Sequence, residues 1–425
     1  MKINIKGKKP LYGSVNIYGA KNSFLQVIAA CCISDNLIEL KNIPLILDSL
    51  EKIDCLKSIN CEIEFIEQRY ITVNAKNIQN EITHIFTMRT AWYLFGPLLG
   101  RHKKCILPYP QGDKIGVRKV NFYLDILEKM NVQYELKDKY IIAETTELKA
   151  IDYHLPIPSN GVTVFMLLMA TMANGISTIY NASIEPEVRS LCIFLHKIGV
   201  DLNGIGTNKI TIHGTNHKAY KIEKKIDFSI ITDRIQAATY LIMALITEGK
   251  ITINGHDLIN LLGDFLEYLL DLGGILNISK NKITIFSEKN MILEKDYKVD
   301  TNFFPHDCHT DILPVLIPLL CLKTENAIVE ESIYENRFQY VPELVKLGAQ
   351  ISIIDKKLYI KKINQFHGAI VEGNDIRGTT ALLLAALNAS ETTKLIYFFH
   401  TERGYDNFVN NLINLGADIE IISER

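Results

Sequence analysis

Gly199-Val200-Asp201-Leu202, followed by Gly206-Thr207-Asn208-Lys209, decides the fold, because the same phrase returns five more times along the chain. Each time an amphipathic helix ends near glycine or asparagine, a small or apolar residue follows, and two short alternating strands come next. The other occurrences are Asn60-Cys61-Glu62-Ile63, Asn131-Val132, Gly273-Gly274-Ile275-Leu276, Gly348-Ala349-Gln350-Ile351 and Gly416-Ala417-Asp418-Ile419. They lie about 70 residues apart, too long a period for a short-repeat solenoid. Glycine or asparagine suits a left-handed helix end, and Gly206-Thr207-Asn208-Lys209 and Lys280-Asn281-Lys282 supply hairpin turns. Strand runs such as Ile176 to Tyr180 and Lys250 to Ile253 stand between further helices, one of them strongly apolar in every repeat. The expectation is one α/β unit used six times, with helices buried beneath sheets.

The apolar helices begin after Gly19-Ala20-Lys21-Asn22, Met88-Arg89-Thr90, Ser159-Asn160-Gly161, Thr232-Asp233-Arg234, His309-Thr310-Asp311 and Asp375-Ile376-Arg377. Ser, Thr, Asp and Asn there are expected as N-caps. Basic residues are not, since the helix dipole disfavours cations at an N-terminus. Lys21, Arg89, Arg234 and Arg377 therefore admit a second reading: converging helix starts that hold a multiply charged anion.

Between the second and third of these starts lies Leu107-Pro108-Tyr109-Pro110-Gln111-Gly112-Asp113-Lys114-Ile115-Gly116-Val117-Arg118-Lys119. Two prolines, two glycines and no apolar period make it a loop. It reads either as a solvated turn with scattered charges or as an acid, Asp113, beside an anion site at Arg118.

Composition excludes several function classes. The chain has 425 residues, 48% hydrophobic and 22% charged, enough for a large core and more than one domain. A net charge of -2 without like-charge blocks predicts neither nucleic acid nor acidic membrane as partner. The eight cysteines show no C-x-x-C spacing, which points to free thiols in a reducing cytoplasm. Met1-Lys2-Ile3-Asn4-Ile5-Lys6 alternates as a strand does and holds no signal-peptide core. The apolar run Leu313 to Leu322 is too short to span a bilayer and contains Pro314 and Pro318.

Gly19-Ala20-Lys21-Asn22, Met88-Arg89, Gly116-Val117-Arg118, Glu185-Pro186-Glu187, Thr232-Asp233-Arg234-Ile235, Thr310-Asp311, Glu335-Asn336-Arg337-Phe338, Asp375-Ile376-Arg377 and His400-Thr401-Glu402-Arg403-Gly404-Tyr405 stand in a characteristic order. In that order the chain resembles, over essentially its whole length, the UDP-N-acetylglucosamine enolpyruvyl transferase family of the EPSP synthase superfamily. The resemblance implies a two-domain inside-out α/β barrel of six βαβαββ repeats, three per domain. Residues 1–17 and 228–425 would form the first domain and residues 18–227 the second, which carries the Asp113 loop. It also implies transfer of the enolpyruvyl group of phosphoenolpyruvate to the 3-hydroxyl of UDP-N-acetylglucosamine, an early step of cell-wall precursor synthesis, with neither organic cofactor nor metal. A cytoplasmic protein, monomer favoured, is expected.

By the same resemblance Lys21, Arg118 and Arg403 cradle phosphoenolpyruvate, with Arg337 and Arg377 nearby, and Asn22, Arg89, Arg118 and Asp311 face the sugar nucleotide. Asp375 is included among the substrate-binding residues. Asp311 corresponds to the family's base and Asp113 to its proton donor, a position usually held by cysteine. A free aspartate has a pKa of about 3.9, so Asp113 donates a proton only where loop closure and a negative substrate raise that value against Lys114 and Arg118. Fosfomycin, which alkylates the usual cysteine, finds no thiol there.

Three positions depart from the pattern: Ile157 where a lysine is usual, Tyr123 where a histidine is usual, and Gln236 where a glutamate is common. They leave open another acceptor hydroxyl, or a ligand sensor on the same scaffold. His306, Asp307, Cys308 and His309 are closely spaced without a distal partner cluster, so no metal is expected. Glu187 reads as the acidic first turn of a helix opened by Pro186, and Glu185 as a possible support for the site.

Overall fold

The computed structural model describes residues 1–82, 89–110, 115–116, 120–287, 296–301 and 308–422. Six sheets are present among them, five of four strands and one of three. The repeat quoted above shows the common plan. Asp152–His154 lies parallel to Ile176–Tyr180, which pairs antiparallel with Lys209–His213, which in turn pairs with Asp201–Asn203. The parallel pair needs a crossover, and the helix Asn160–Met172 supplies it. The three-stranded sheet keeps the order with Lys104–Pro108, Tyr140–Glu144 and Gln133–Leu136, and a parallel bridge from Glu81 to Ile106 stands where the fourth strand would be.

The residues that close the second helix of each repeat take up positive φ in all six cases: Asn60 at 64°, Asn131 at 65°, Gly199 at 103°, Gly273 at 84°, Gly348 at 94° and Gly416 at 102°. This left-handed step turns the chain from helix into hairpin, and it is why asparagine and glycine recur there.

Two compact units emerge, each with its own core. The first takes residues 1–18, 113–118 and 232–425; the second takes 19–112 and 119–231. In the first, the strand Lys2–Lys6 lies between Thr392–Ile396 and Asp418–Ile422 and so completes the sixth repeat. Tyr12–Asn16 runs parallel to Lys250–Asn254, although the whole second unit separates them in sequence. The second unit has the matching arrangement, with Ile226–Ser229 parallel to Leu37–Lys41. Each chain crossing thus leaves one strand paired with a repeat distant in sequence.

In the first unit the helices Arg234–Ile246, Leu313–Lys323 and Ile376–Asn388 pack on one another, and nearly every residue of each is buried. A helix apolar on all sides is stable only in such a position. Pro318 inside Leu313–Lys323 forgoes a backbone donor, a cost accepted in a fully enclosed helix. The second unit buries Lys21–Ala30, Phe95–His102 and Asn160–Met172 in the same way. There the Met88-Arg89-Thr90 start differs from expectation, because Arg89–Leu94 forms a 3-10 helix before the α-helix begins at Phe95. No helix among the described residues is long and apolar enough to cross a membrane.

Candidate active site

Three helix starts in each unit gather the residues singled out above. In the first unit, Asp233 and Asp375 act as caps. Asp233 Oδ1 accepts from the N–H groups of Ile235 and Gln236, both at 2.9 Å, and Asp375 Oδ1 accepts from those of Arg377 and Gly378, both at 3.0 Å. Each cap satisfies two orphan donors of a buried helix, worth about 1 kcal/mol. Asp311 differs. Its helix begins only at Leu313, and its carboxylate is left for other partners.

Those partners are two buried guanidinium groups. Arg337 Nη2 donates to Asp311 Oδ1, and Arg377 Nη2 lies 3.7 Å from Oδ2. Arg337 also donates from Nε and Nη2 to the Thr310 carbonyl, at 3.0 and 2.7 Å. One planar fork therefore fixes two consecutive residues, which a point-charge ammonium has no geometry to do. Burial works against the charge on Arg337, but Asp311, Asp375 and Glu331 outweigh it and hold its pKa above the usual range. Arg377 is raised as well: burial opposes the charge, and Tyr405, Asp311 and Asp233 favour it. Its Nη1 is buried and has no hydrogen-bond partner among the described residues. Arg403 ends the short helix Phe398–Arg403 and is half-buried.

Ile115 and Gly116 belong with this unit. Ile115 is buried, and its carbonyl accepts the Asn336 N–H at 3.0 Å. A Cβ on Gly116 would stand 2.5 Å from Glu335 Oε2, so a larger residue there would push the end of that side chain aside. Asp113 and Arg118, the proposed donor and its neighbouring cation, lie outside the described residues, as do His306 and Asp307. No metal-holding cluster of His, Cys, Asp or Glu occurs among the described residues.

The second unit holds its cations differently. Lys21 Nζ lies 3.3 Å from Asp48 Oδ2, and Asn22 beside it is half-buried. Arg89 is half-buried over the Tyr123 ring at 5.6 Å. Tyr123 is itself buried, edge-on to Trp92 and Phe165, so the departure from histidine places an aromatic face under a guanidinium. Ile157 is 44% exposed. Behind these, Gln26 Nε2 donates to Asn160 Oδ1 at 2.9 Å, and Asn160 Nδ2 donates to Glu185 Oε2 at 3.1 Å. Glu185 thus supports the start of helix Asn160–Met172, while Glu187 is buried in the first turn of its own helix.

Two groups escaped sequence reasoning. Lys52, fully buried, donates to the Thr90 carbonyl at 3.0 Å, next to Arg89. Glu331, also buried, gathers the loop ahead of Arg337. A charged residue inside a helix or beside a strand end carries no signal of burial by itself. All eight cysteines are free and buried, and burial pushes the Cys192 and Cys321 thiols up to about 12 and Cys55 up to about 11.

The sequence profile of the EPSP synthase (3-phosphoshikimate 1-carboxyvinyltransferase) family matches residues 5–412. The chain is 35% identical to the UDP-N-acetylglucosamine 1-carboxyvinyltransferase 2 of Caldanaerobacter subterraneus subsp. tengcongensis, over 98% of this chain and 99% of that one. It is 34% identical to the UDP-N-acetylglucosamine 1-carboxyvinyltransferase of Campylobacter hominis, covering 99% of both. Among solved structures, the enolpyruvyl transferase NikO from Streptomyces tendae superposes with a TM-score of 0.89 at 22% identity, over 99% of this chain and 98% of that one. EPSP synthase from Acinetobacter baumannii follows at 0.73 and 16%, over 99% and 100%. These two likenesses establish the inside-out α/β fold.

Proposed function

The chain belongs to the EPSP synthase family, and from that premise we propose that it transfers the enolpyruvyl group of phosphoenolpyruvate to the 3-hydroxyl of UDP-N-acetylglucosamine. The acceptor oxygen bonds to C2 of phosphoenolpyruvate while its proton passes to a base, and C3 gains a proton from an acid. C3 then gives up a proton, the C2–O bond to phosphate breaks, and phosphate leaves. No oxidant, metal or carrier is needed for atoms and charge to balance.

In this reading Asp311 is the base and Asp113 the donor. Lys21, Arg118 and Arg403 hold phosphoenolpyruvate, and Asn22, Arg89, Arg337 and Arg377 complete the substrate contacts. The observation that carries it is the Asp311 carboxylate between two buried guanidiniums, one of which keeps an Nη1 without a partner among the described residues. A buried donor left without a partner costs about 1 to 3 kcal/mol, and an anionic substrate group relieves that cost. The eight free, buried thiols support a reducing cytoplasm as the site of action, and a monomer is the state the reading favours.

Phosphate release from purified protein tests the proposal. It is expected to require both phosphoenolpyruvate and UDP-N-acetylglucosamine, to collapse in Asp113→Asn, and to weaken as pH rises because a carboxyl donor must be protonated. Release without the sugar nucleotide, or an Asn variant as fast as the parent, would overturn it. Fosfomycin is expected to leave the native protein unlabelled in intact-mass measurement, since every thiol is buried.

A further inference from the structure

Glu331 lies just past the strand Asn326–Glu330, is buried, and accepts four hydrogen bonds from four different residues. Its Oε1 takes the Ile333 N–H at 2.7 Å, the Tyr334 N–H at 3.1 Å and the Thr301 hydroxyl at 3.1 Å. Its Oε2 takes the Thr310 hydroxyl at 2.7 Å. Thr310 is the residue whose carbonyl receives both donors of Arg337, and Asp311 follows it directly. The turn Ile333 to Arg337 and the turn Thr310 to Asp311 come from distant parts of the repeat. The Glu331 carboxylate holds both by hydrogen bonds, independently of the Arg337 fork.

We infer that Glu331 is a positioning residue for Asp311 and Arg337, acting through the Thr310 hydroxyl. A buried carboxylate accepting from two hydroxyls and two backbone N–H groups makes charge-assisted bonds with little freedom to shift. The Thr310 hydroxyl donates to Glu331, so its backbone carbonyl is held at the height that the Arg337 fork requires. The fork then fixes the carboxylate of Asp311. A misplacement of about 1 Å in a reacting group costs about 100-fold in rate, so the chain of contacts has a kinetic signature.

For its kinetic readout the inference rests on the enolpyruvyl-transfer reading. The test uses Glu331→Gln, Thr310→Val, Thr310→Ser and the double variant Glu331→Gln/Thr310→Val in the full-length protein. Gln keeps the volume but presents an amide N–H either to two backbone donors or to the Thr310 hydroxyl. Val keeps the shape of Thr310 and removes its hydroxyl, while Ser restores it. We expect kcat for phosphate release to fall about 10- to 100-fold in Glu331→Gln and Thr310→Val, with each KM changed less than about threefold. Thr310→Ser recovers most of the loss, and the double variant is no slower than the worse single one, as two links of one chain require.

Solvent exchange of the Arg337 Nε–H, followed by NMR and assigned by its loss in Arg337→Lys, supplies a readout independent of turnover. It is expected to be protected in the parent and to exchange faster in Thr310→Val and Glu331→Gln. Unchanged kcat with unchanged exchange, or rate losses that multiply in the double variant, would overturn the inference. A parent that releases no phosphate would overturn the enolpyruvyl-transfer reading alone, and the exchange measurement would still decide the role of Glu331.

Discussion

The two units carry their charges in opposite ways. In the first, Arg337 and Arg377 are buried and share the carboxylate of Asp311, with Asp233, Asp375 and Glu331 close behind. In the second, Lys21 and Arg89 are half-buried, one against Asp48 and the other over an aromatic ring. A buried pair costs desolvation and its loss of one partner is strongly destabilising, whereas a cation that still reaches solvent stays partly hydrated. The first unit therefore locks its charges against one another, and in the proposed function the second offers its cations to substrate at small cost to its own fold. Substitutions in the two units should separate accordingly.

The largest effect is expected from Arg337→Met. It strips the Thr310 carbonyl of both side-chain donors and takes one of two guanidiniums from Asp311. Denaturant unfolding is expected to show a loss of about 3 to 5 kcal/mol, with turnover abolished. Arg337→Lys sharpens the point, because it keeps the charge and loses the fork. A Lys variant close to the parent in turnover would mean that geometry at this site matters less than charge, and the contrast between the units would weaken.

Lys21→Met is the matching test in the second unit. Phosphoenolpyruvate binding is expected to suffer far more than stability, with KM raised about 10- to 100-fold and the unfolding free energy lowered by no more than about 1 kcal/mol. Loss of stability comparable to Arg337→Met would show that Lys21 is there to satisfy the buried Asp48, and the two units would prove alike.

How far the sequence carried this picture follows from the same contrast. The six helix-to-hairpin turns were legible because positive φ selects glycine and asparagine whatever surrounds them. The caps Asp233 and Asp375 were legible for a similar local reason. Lys52 and Glu331 were not. Each acts on a residue distant in sequence, Lys52 on Thr90 and Glu331 on Thr310, and no local pattern marks a charged side chain whose partner is a fold away. Gln236 shows a departure becoming intelligible only in three dimensions. Its Nε2 donates to Asp233 at 3.3 Å while its Oε1 accepts the Asp406 N–H at 3.2 Å. A glutamate in the same place would set a second carboxylate against the cap.

The smallest effect, and the finest test, concerns Lys52. Burial holds its ammonium below the usual lysine range, opposed only in part by Cys55 and Cys32. The unfolded chain releases this proton near the ordinary value of about 10.4, the folded chain at lower pH. Between the two the unfolded state binds more protons, so stability rises with pH through that window and is flat below it. Lys52→Met removes the titrating group while keeping a chain of similar length. At neutral pH the variant is expected to lie within about 1 kcal/mol of the parent, since the lost hydrogen bond to Thr90 offsets the relief of a buried charge. As pH climbs towards 10, the parent should gain stability relative to the variant, measurable as diverging denaturant midpoints. Arg337 allows no such divergence, because a guanidinium keeps its proton throughout this range. Midpoints that stay parallel would mean that Lys52 keeps its proton too, and that the second unit, like the first, stabilises a fixed buried cation.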